Sequence, residues 1–328
     1  MKINQTYELS MVVDTNRFQR VFDRAYHKAG YLDELDDEYI DTSLVAEGIT
    51  TVYRDSRYKK KIRLLVNAAL IVDDPSNTDK LLRKLDKRIA EYFNHTYSLD
   101  DFTLSGASYV LDISVGSRAS VANYLKVIKR IGKVKGFSPI SYDCFDGEAS
   151  FCLSGNSNAT DFLLYDLEQA VIGQLRSANA GRKKMESASM QAKGILRAEV
   201  RLTKPKAIRG YTDATDVSGQ IVELTKGNVD VFMDTFVRVV PFGDFVKKDM
   251  AMEIIRSEVT DSIVRRRMIR LVALIPEKKS LHLAQKELNC RDVDKVMEAF
   301  TKIHLSPITI AKRHEVKQLN NLYAYFLK

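Results

Sequence analysis

Tyrosines and carboxylates on strand-like segments are the residues of this sequence that could do chemistry. Tyr165 and Asp166 end one short apolar run, and Asp112 lies inside Tyr109-Val110-Leu111-Asp112-Ile113-Ser114-Val115. Glu199 and Arg201 lie in a third run, Leu196-Arg197-Ala198-Glu199-Val200-Arg201-Leu202. Strand side chains alternate between two faces, so Asp112 shares a face with Val110 and Ser114, and Glu199 shares one with Arg197 and Arg201, opposite Ala198 and Val200. A carboxylate so placed is solvated, is salt-bridged along the strand face, or serves a site. Histidines His27, His95, His282, His304 and His314 form neither His-x-His nor His-Glu-x-x-His, which removes a histidine-based metal centre. The sequence has no Gly-x-x-x-x-Gly-Lys-Ser/Thr loop and no Gly-x-Ser-x-Gly elbow, which removes P-loop phosphate binding and that hydrolase nucleophile.

The elements that must position these residues follow from hydrophobic periodicity. Tyr7 to Val13 reads as a strand, and Asn16 to Lys28 as a helix with Phe18, Val21, Phe22 and Ala25 on one side. After an acidic stretch at residues 33–38, Gly48 to Tyr53 and Lys61 to Val66 read as a hairpin turning at Asp55-Ser56-Arg57. A helix from Thr78 to His95 follows, lined by Leu81, Leu82, Leu85, Ile89 and Phe93. The same order then begins again, with a strand from Phe102 to Val115, a helix from Ser117 to Ile131, and a hairpin of Phe137 to Tyr142 with Ala149 to Leu153 turning at Asp146-Gly147. This is a weak internal duplication, in which one copy can cover the open sheet edge of the other. A strand from Asp161 to Tyr165, a polar helical stretch ending at Lys184 and a strand from Ile195 to Leu202 come next, and beyond Pro205 the periodicity is helical. The expectation is an α+β protein. Two ferredoxin-like β-α-β-β units with a largely antiparallel sheet occupy residues 1–98 and 99–212, the second carrying the site, and a helical domain occupies 213–328.

The chain has 328 residues, with 51 Lys and Arg against 43 Asp and Glu, a formal net charge of +8, so a polyanion suits it better than a cation. With 45% hydrophobic and 29% charged residues it can bury a sizeable core, which excludes wholesale disorder. No run approaches the roughly 18 apolar residues of a membrane span, and the first ten residues have no basic region followed by an apolar core. Three cysteines, Cys144, Cys152 and Cys290, without Cys-x-x-Cys spacing, argue against a disulfide framework or zinc ribbon. A protein of the reducing cytoplasm, with no membrane partner, is expected.

Three stretches, Phe102-Thr-Leu-Ser-Gly-Ala-Ser-Tyr-Val-Leu-Asp-Ile113, Phe162-Leu-Leu-Tyr-Asp-Leu-Glu168 and Leu196 to Leu202, occur in the order and rough spacing of replication initiation proteins of Firmicutes plasmids and phages. The chain resembles these rolling-circle initiators and the related relaxases over most of its length, including Leu305-Ser-Pro-Ile-Thr-Ile310 and Leu319-Asn-Asn-Leu322. The resemblance implies a protein that binds origin DNA, single-stranded or cruciform, with a homodimer as one form, and nicks one strand. Tyr165 and Asp166 match the family's Tyr-Asp-Lys, Asp112 matches the later Asp of Arg-Ile-Asp-x-x-x-Asp, and Glu199 and Arg201 match Arg-x-Glu-x-Arg. In that mechanism Tyr165 attacks the phosphodiester, a Mg²⁺ or Mn²⁺ ion held by Asp112, Asp166 or Glu199 stabilises the developing charge, and Arg201 and Lys204 neutralise phosphate. Hard oxygen ligands favour those ions over zinc. Where the family has Arg, Asp and Lys, however, this chain has Gly106, Ser108 and Leu167. These departures support an alternative, a DNA-binding protein of a mobile element that keeps the scaffold without the chemistry.

Three basic clusters are candidates for DNA contact: Arg57 with Lys59, Lys60, Lys61 and Arg63; Arg182-Lys183-Lys184; and Arg265-Arg266-Arg267 with Arg270. The first is interleaved with Tyr53 and Tyr58, a combination that suits charge and stacking on a single strand. It also suits a lysine-protected hairpin edge. Ser280 to Leu288 and Arg291 to Ile303 have the outline of a helix-turn-helix joined through Asn289-Cys290.

Overall fold

The computed structural model describes residues 1–29, 38–55, 59–142, 147–156, 159–177, 180–289 and 291–327. The fold is α+β, built on one antiparallel sheet. The first half of the chain supplies β1 (Asn4–Val13), β2 (Glu38–Asp41), β3 (Ile49–Asp55) and β4 (Lys60–Asn67), with α1 (Thr15–Ala29), α2 (Ala68–Ile71) and α3 (Thr78–Tyr92). The second half supplies β5 (Thr103–Ser114), β6 (Phe137–Pro139), β7 (Ser150–Gly155), β8 (Thr160–Asp166) and β9 (Ile195–Leu202). It carries α4 (Arg118–Ile128), and α5 (Leu167–Ser177) and α6 (Arg182–Ala192) between β8 and β9. Helices then dominate: α7 (Pro205–Ile208), α8 (Val217–Lys226), α9 (Asn228–Val239), α10 (Lys248–Glu258), α11 (Ser262–Lys278), α12 (Leu281–Leu288) and α13 (Val293–Lys302). The short strands β10 (Phe245–Val246) and β11 (Gln318–Leu319) pair with each other.

Sheet order is β2-β3-β4-β1-β5-β9-β8-β7-β6, with antiparallel pairing throughout. The halves therefore lie side by side, joined where Tyr7 of β1 faces Ala107 of β5. Alternation decides which face is covered. Tyr7, Leu9 and Met11 on β1, Ile62, Leu64 and Val66 on β4, Tyr109, Leu111 and Ile113 on β5, and Leu196, Ala198 and Val200 on β9 all point into the helix-covered side and are buried. Helix starts are written in polar caps: Asn77 Oδ1 accepts from Lys80 N at 3.1 Å, Ser117 Oγ from Ser120 N at 3.1 Å, and Asp216 Oδ2 from Gly219 N at 2.7 Å.

One apolar cluster runs from Ile3 through Tyr124 and Val200 to Phe326, so the segments 1–98, 99–212 and 213–328 share a core. Hydrogen bonds tie the same segments together. The Tyr7 hydroxyl lies 2.7 Å from Thr225 Oγ1 of α8, and the Tyr124 hydroxyl donates to the Asn320 carbonyl at 2.9 Å. Among the described residues no helix is long and apolar enough to cross a membrane.

Candidate functional site

The sheet face opposite the core, called the outer face here, carries the polar alternate positions. On β9 these are Arg197, Glu199 and Arg201; their cross-strand partners are Tyr165, Leu163 and Asp161 on β8 and Asp112, Val110 and Ser108 on β5. The strand reading thus places Tyr165, Glu199, Arg201 and Asp112 together, on adjacent strands of one face.

The contacts form a continuous chain. Arg197 grips Asp112 with two parallel bonds, Nε to Oδ1 at 2.6 Å and Nη2 to Oδ2 at 2.8 Å. Arg201 grips Glu199 in the same way, at 2.7 Å and 3.2 Å, and the Tyr165 hydroxyl donates to Glu199 Oε2 at 3.1 Å. The Arg201 guanidinium lies over the Tyr142 ring, 5.3 Å from its centroid. Tyr142 donates to Asp161 at 2.6 Å, and Ser154 of β7 donates to the other Asp161 oxygen at 2.6 Å. Beyond the strand ends, Arg118 of α4 forms a two-pronged ion pair with Glu168 of α5, which Ser189 of α6 joins.

The Tyr165, Glu199 and Asp161 part of this cluster is covered, while the Arg197–Asp112 pair stays open, its side chains 26% and 34% exposed. Tyr165 and Glu199 are each 6% exposed and Asp161 is 8% exposed. Ala170 of α5 packs with Cys152, Leu163 and Tyr165, flanked by Ile140 and Tyr142, as a small second apolar cluster on the outer face. Burial, reinforced by the Glu199 charge, pushes the Tyr165 hydroxyl pKa well above the usual phenol value. Burial and the bond to Asp161 do the same to Tyr142. Burial works against the charge on Arg201, but the hydrogen bonds and charge of Glu199 outweigh it and hold the guanidinium ionised. At neutral pH Tyr165 is a protonated hydrogen-bond donor.

Asp166 falls elsewhere. Adjacent strand residues point to opposite faces, so Asp166 leaves Tyr165's side and caps α5, its Oδ1 accepting from Gln169 N at 3.2 Å. Burial raises its pKa. Asp-Leu-Glu-Gln, an N-cap residue followed by an acid in the first turn, is the sequence signal for that role. Asp161 and Tyr142 were missed. Asp161 alternates with Leu163 and Tyr165 and was open to the same argument as Asp112, whereas Tyr142 reaches the cluster from the far side of a hairpin and left no local signal.

The three carboxylates do not fit a shared divalent ion. Asp112 and Glu199 each already hold an arginine fork and Asp166 is a helix cap. Among the described residues no three His, Cys, Asp or Glu side chains gather closely enough to hold a metal. Two of the three departures from the initiator pattern, Leu167 and Gly106, have packing roles. Leu167 is buried at the start of α5, and a Cβ at Gly106 would stand 3.1 Å from the Leu202 carbonyl oxygen and 3.4 Å from Glu8 Cβ.

The basic clusters divide. Lys61 and Arg63 of β4 lie on the outer face, where Arg63 bonds Glu38 at 3.0 Å and lies 3.8 Å from Glu8. Arg54 lies beside them, 3.7 Å from Glu38. Lys60 points the other way, pairing with Asp55 and lying over Phe18, while Lys59 precedes β4 exposed. Arg57 and Tyr58 lie outside the described residues. The expected stacking role of Tyr53 is corrected: it is 1% exposed, packs in the core against Phe18 and lies 2.9 Å from the Tyr92 hydroxyl, because alternation sends it to the face opposite Arg54. Arg182, Lys183 and Lys184 open α6 and are exposed, and Lys204 is exposed past the end of β9. On α11, Arg265 bonds the Val259 carbonyl, Arg266 the Ser262 carbonyl, and Arg267 lies 3.7 Å from Asp292. The helix pair expected after Ser280 is α12 and α13, both packed on α11, with residue 290 of their joint outside the described residues.

No protein-family model and no curated protein matches the chain. Among solved structures the chain is similar to a rolling circle replication initiator protein from Geobacillus stearothermophilus, with 9% identity over 80% of this chain and 90% of that one and a TM-score of 0.30.

Proposed function

We propose that this protein binds single-stranded DNA on the open half of the outer sheet face, as a replication-initiator-like protein of a mobile element that does not cut the strand. The carrying observation is the state of the presumed nicking site, where Glu199 and Asp112 are each paired with an arginine and Tyr165 is buried and protonated beside Glu199. An oxygen nucleophile needs an exposed path to phosphorus and a base free to take its proton. Here the base is held by Arg201. On the first half, Arg54, Lys61 and Arg63 stand among the exposed apolar side chains of Val12, Ile40 and Leu65, a mixture suited to phosphates and bases of an unpaired strand. The initiator motifs at Tyr165, Asp112 and Glu199 give the reading its biological setting.

One contact favours a second reading. Tyr165 donates to Glu199, so a phosphate that drew Arg201 away would leave a carboxylate beside the tyrosine, and Tyr165 would then be the nucleophile and Glu199 its base. Labelled single-stranded origin DNA, incubated with and without Mn²⁺ and run on a denaturing gel, separates the two. The non-cutting reading predicts salt-sensitive binding with no covalent adduct, and an adduct abolished by Tyr165→Phe would establish the second.

A further inference from the structure

On the helix-covered side of the sheet, α4 and the segment 311–315 flank a pocket of about 480 Å³ that is open to solvent on one side. Asn123, Lys126, Val127 and Arg130 contribute from one stripe of α4 and the 3₁₀ turn that continues it, at spacings of three, four and seven residues. Arg313, His314 and Glu315 form the other wall. That wall is anchored, since Lys247 N donates to the Lys317 carbonyl at 3.2 Å, Lys247 Nζ to the Lys312 carbonyl at 3.3 Å, and His314 N to the Ala311 carbonyl at 2.9 Å.

The polar accounting does not close. Arg130 Nε and both ring nitrogens of His314 are screened from solvent without a hydrogen-bond partner, three of the seven such side-chain atoms among the described residues. Arg130 Nε is a donor, and His314 offers one donor as neutral imidazole and two as imidazolium; each unmet donor costs free energy that a bound acceptor would return. Cations near the end of α4 complement the helix dipole, which accounts for charge there but not for a guanidinium nitrogen turned inward with nothing to bond. Burial alone lowers the Arg130 pKa. Burial, then Lys126 with a smaller part from Lys247, lowers that of His314, and Glu315 opposes. Three permanent cations and a titratable imidazole therefore face a single carboxylate.

We infer that this pocket binds a phosphate group, with Arg130 and His314 donating to its oxygens and Lys126 and Arg313 neutralising its charge. Guanidinium geometry suits a tetrahedral oxyanion, and Asn123 adds a neutral amide donor. The source is a phosphodiester of a nucleic-acid strand or a free phosphate, and the site is independent of whether the outer face binds DNA.

The test is calorimetric titration of the full chain with inorganic phosphate and, separately, with a short single-stranded oligonucleotide. Arg130→Gln weakens binding about tenfold, as loss of a charge-assisted bond does, and the exposed Lys126→Gln weakens it by a smaller factor if the first variant folds poorly. Lys302→Gln, exposed on α13, leaves it unchanged. Affinity rises as pH falls through the lowered His314 pKa, where the imidazolium forms beside Lys126, Arg130, Arg313, Lys247 and Glu315, and His314→Gln removes that rise. Binding of inorganic phosphate assigns the pocket to a free phosphate group, and binding of the oligonucleotide alone, sensitive to Arg130 and Lys126, assigns it to a strand. No binding of either, or binding indifferent to both Arg130→Gln and Lys126→Gln, overturns the inference.

Discussion

The two halves of the outer sheet face hold similar ion pairs in opposite circumstances. Around β4, Arg63 meets Glu38 and Glu8 with side chains 26% to 37% exposed, while on β9 Arg201 meets Glu199 with the carboxylate side chain only 8% exposed. The cause is a connection. β3 turns directly into β4, whereas β8 reaches β9 through α5 and α6, and Ala170 of α5 lies on Leu163 and Tyr165. Cover converts an ion pair of small worth into one whose breakage leaves an uncompensated charge. One half stays open, and the middle of the other is locked by its own side chains.

The largest break in that comparison is Glu199→Ala, which leaves Arg201 without its carboxylate and Tyr165 without its acceptor. It should cost about 3 kcal/mol or more in urea unfolding. Next is acid sensitivity through Glu168. The hydrogen bond from Arg118 holds the Glu168 carboxyl below its usual pKa, so its stabilisation is complete above the ordinary carboxylate range and lost as pH falls toward the lowered value. Asp166, raised by burial, works with the opposite sign, so the measurement is the difference between wild type and Glu168→Gln, which should narrow as pH falls. Tyr165→Phe removes one bond while Arg201 still satisfies Glu199, and should cost about 1 kcal/mol with DNA affinity unchanged. The smallest effect is expected on the open side, where Glu38→Ala should cost less than about 1 kcal/mol in the same urea assay. If Glu38→Ala proved as damaging as Glu199→Ala, the contrast between open and locked halves would be wrong.

Much of this was legible in the sequence because strands and helices are local. The alternation of Arg197, Glu199 and Arg201 placed them on one face, and the two hairpins pair as their patterns suggested. The same alternation shows that Tyr165 and Asp166 cannot serve one strand face, a point the motif match obscured. It likewise sends Tyr53 inward while Arg54 points out. What the sequence could not reveal is non-local. The reach of Tyr142 and Ser154 to Asp161, the cover of β8 by α5, and the pocket between α4 and residues 311–315 depend on how distant segments pack. β2 was missed because its four residues, Glu38 to Asp41, follow an acidic run with too few positions to show a period.

The most direct test of the open-face claim is the salt dependence of single-stranded DNA affinity for wild type and for a variant combining Arg54→Gln and Lys61→Gln. Each phosphate contact on a single strand contributes about 0.7 to the slope of log K against log salt, so losing two should reduce that slope by about 1.4. The same slope in both proteins, or an affinity that does not fall with added salt, would contradict the account.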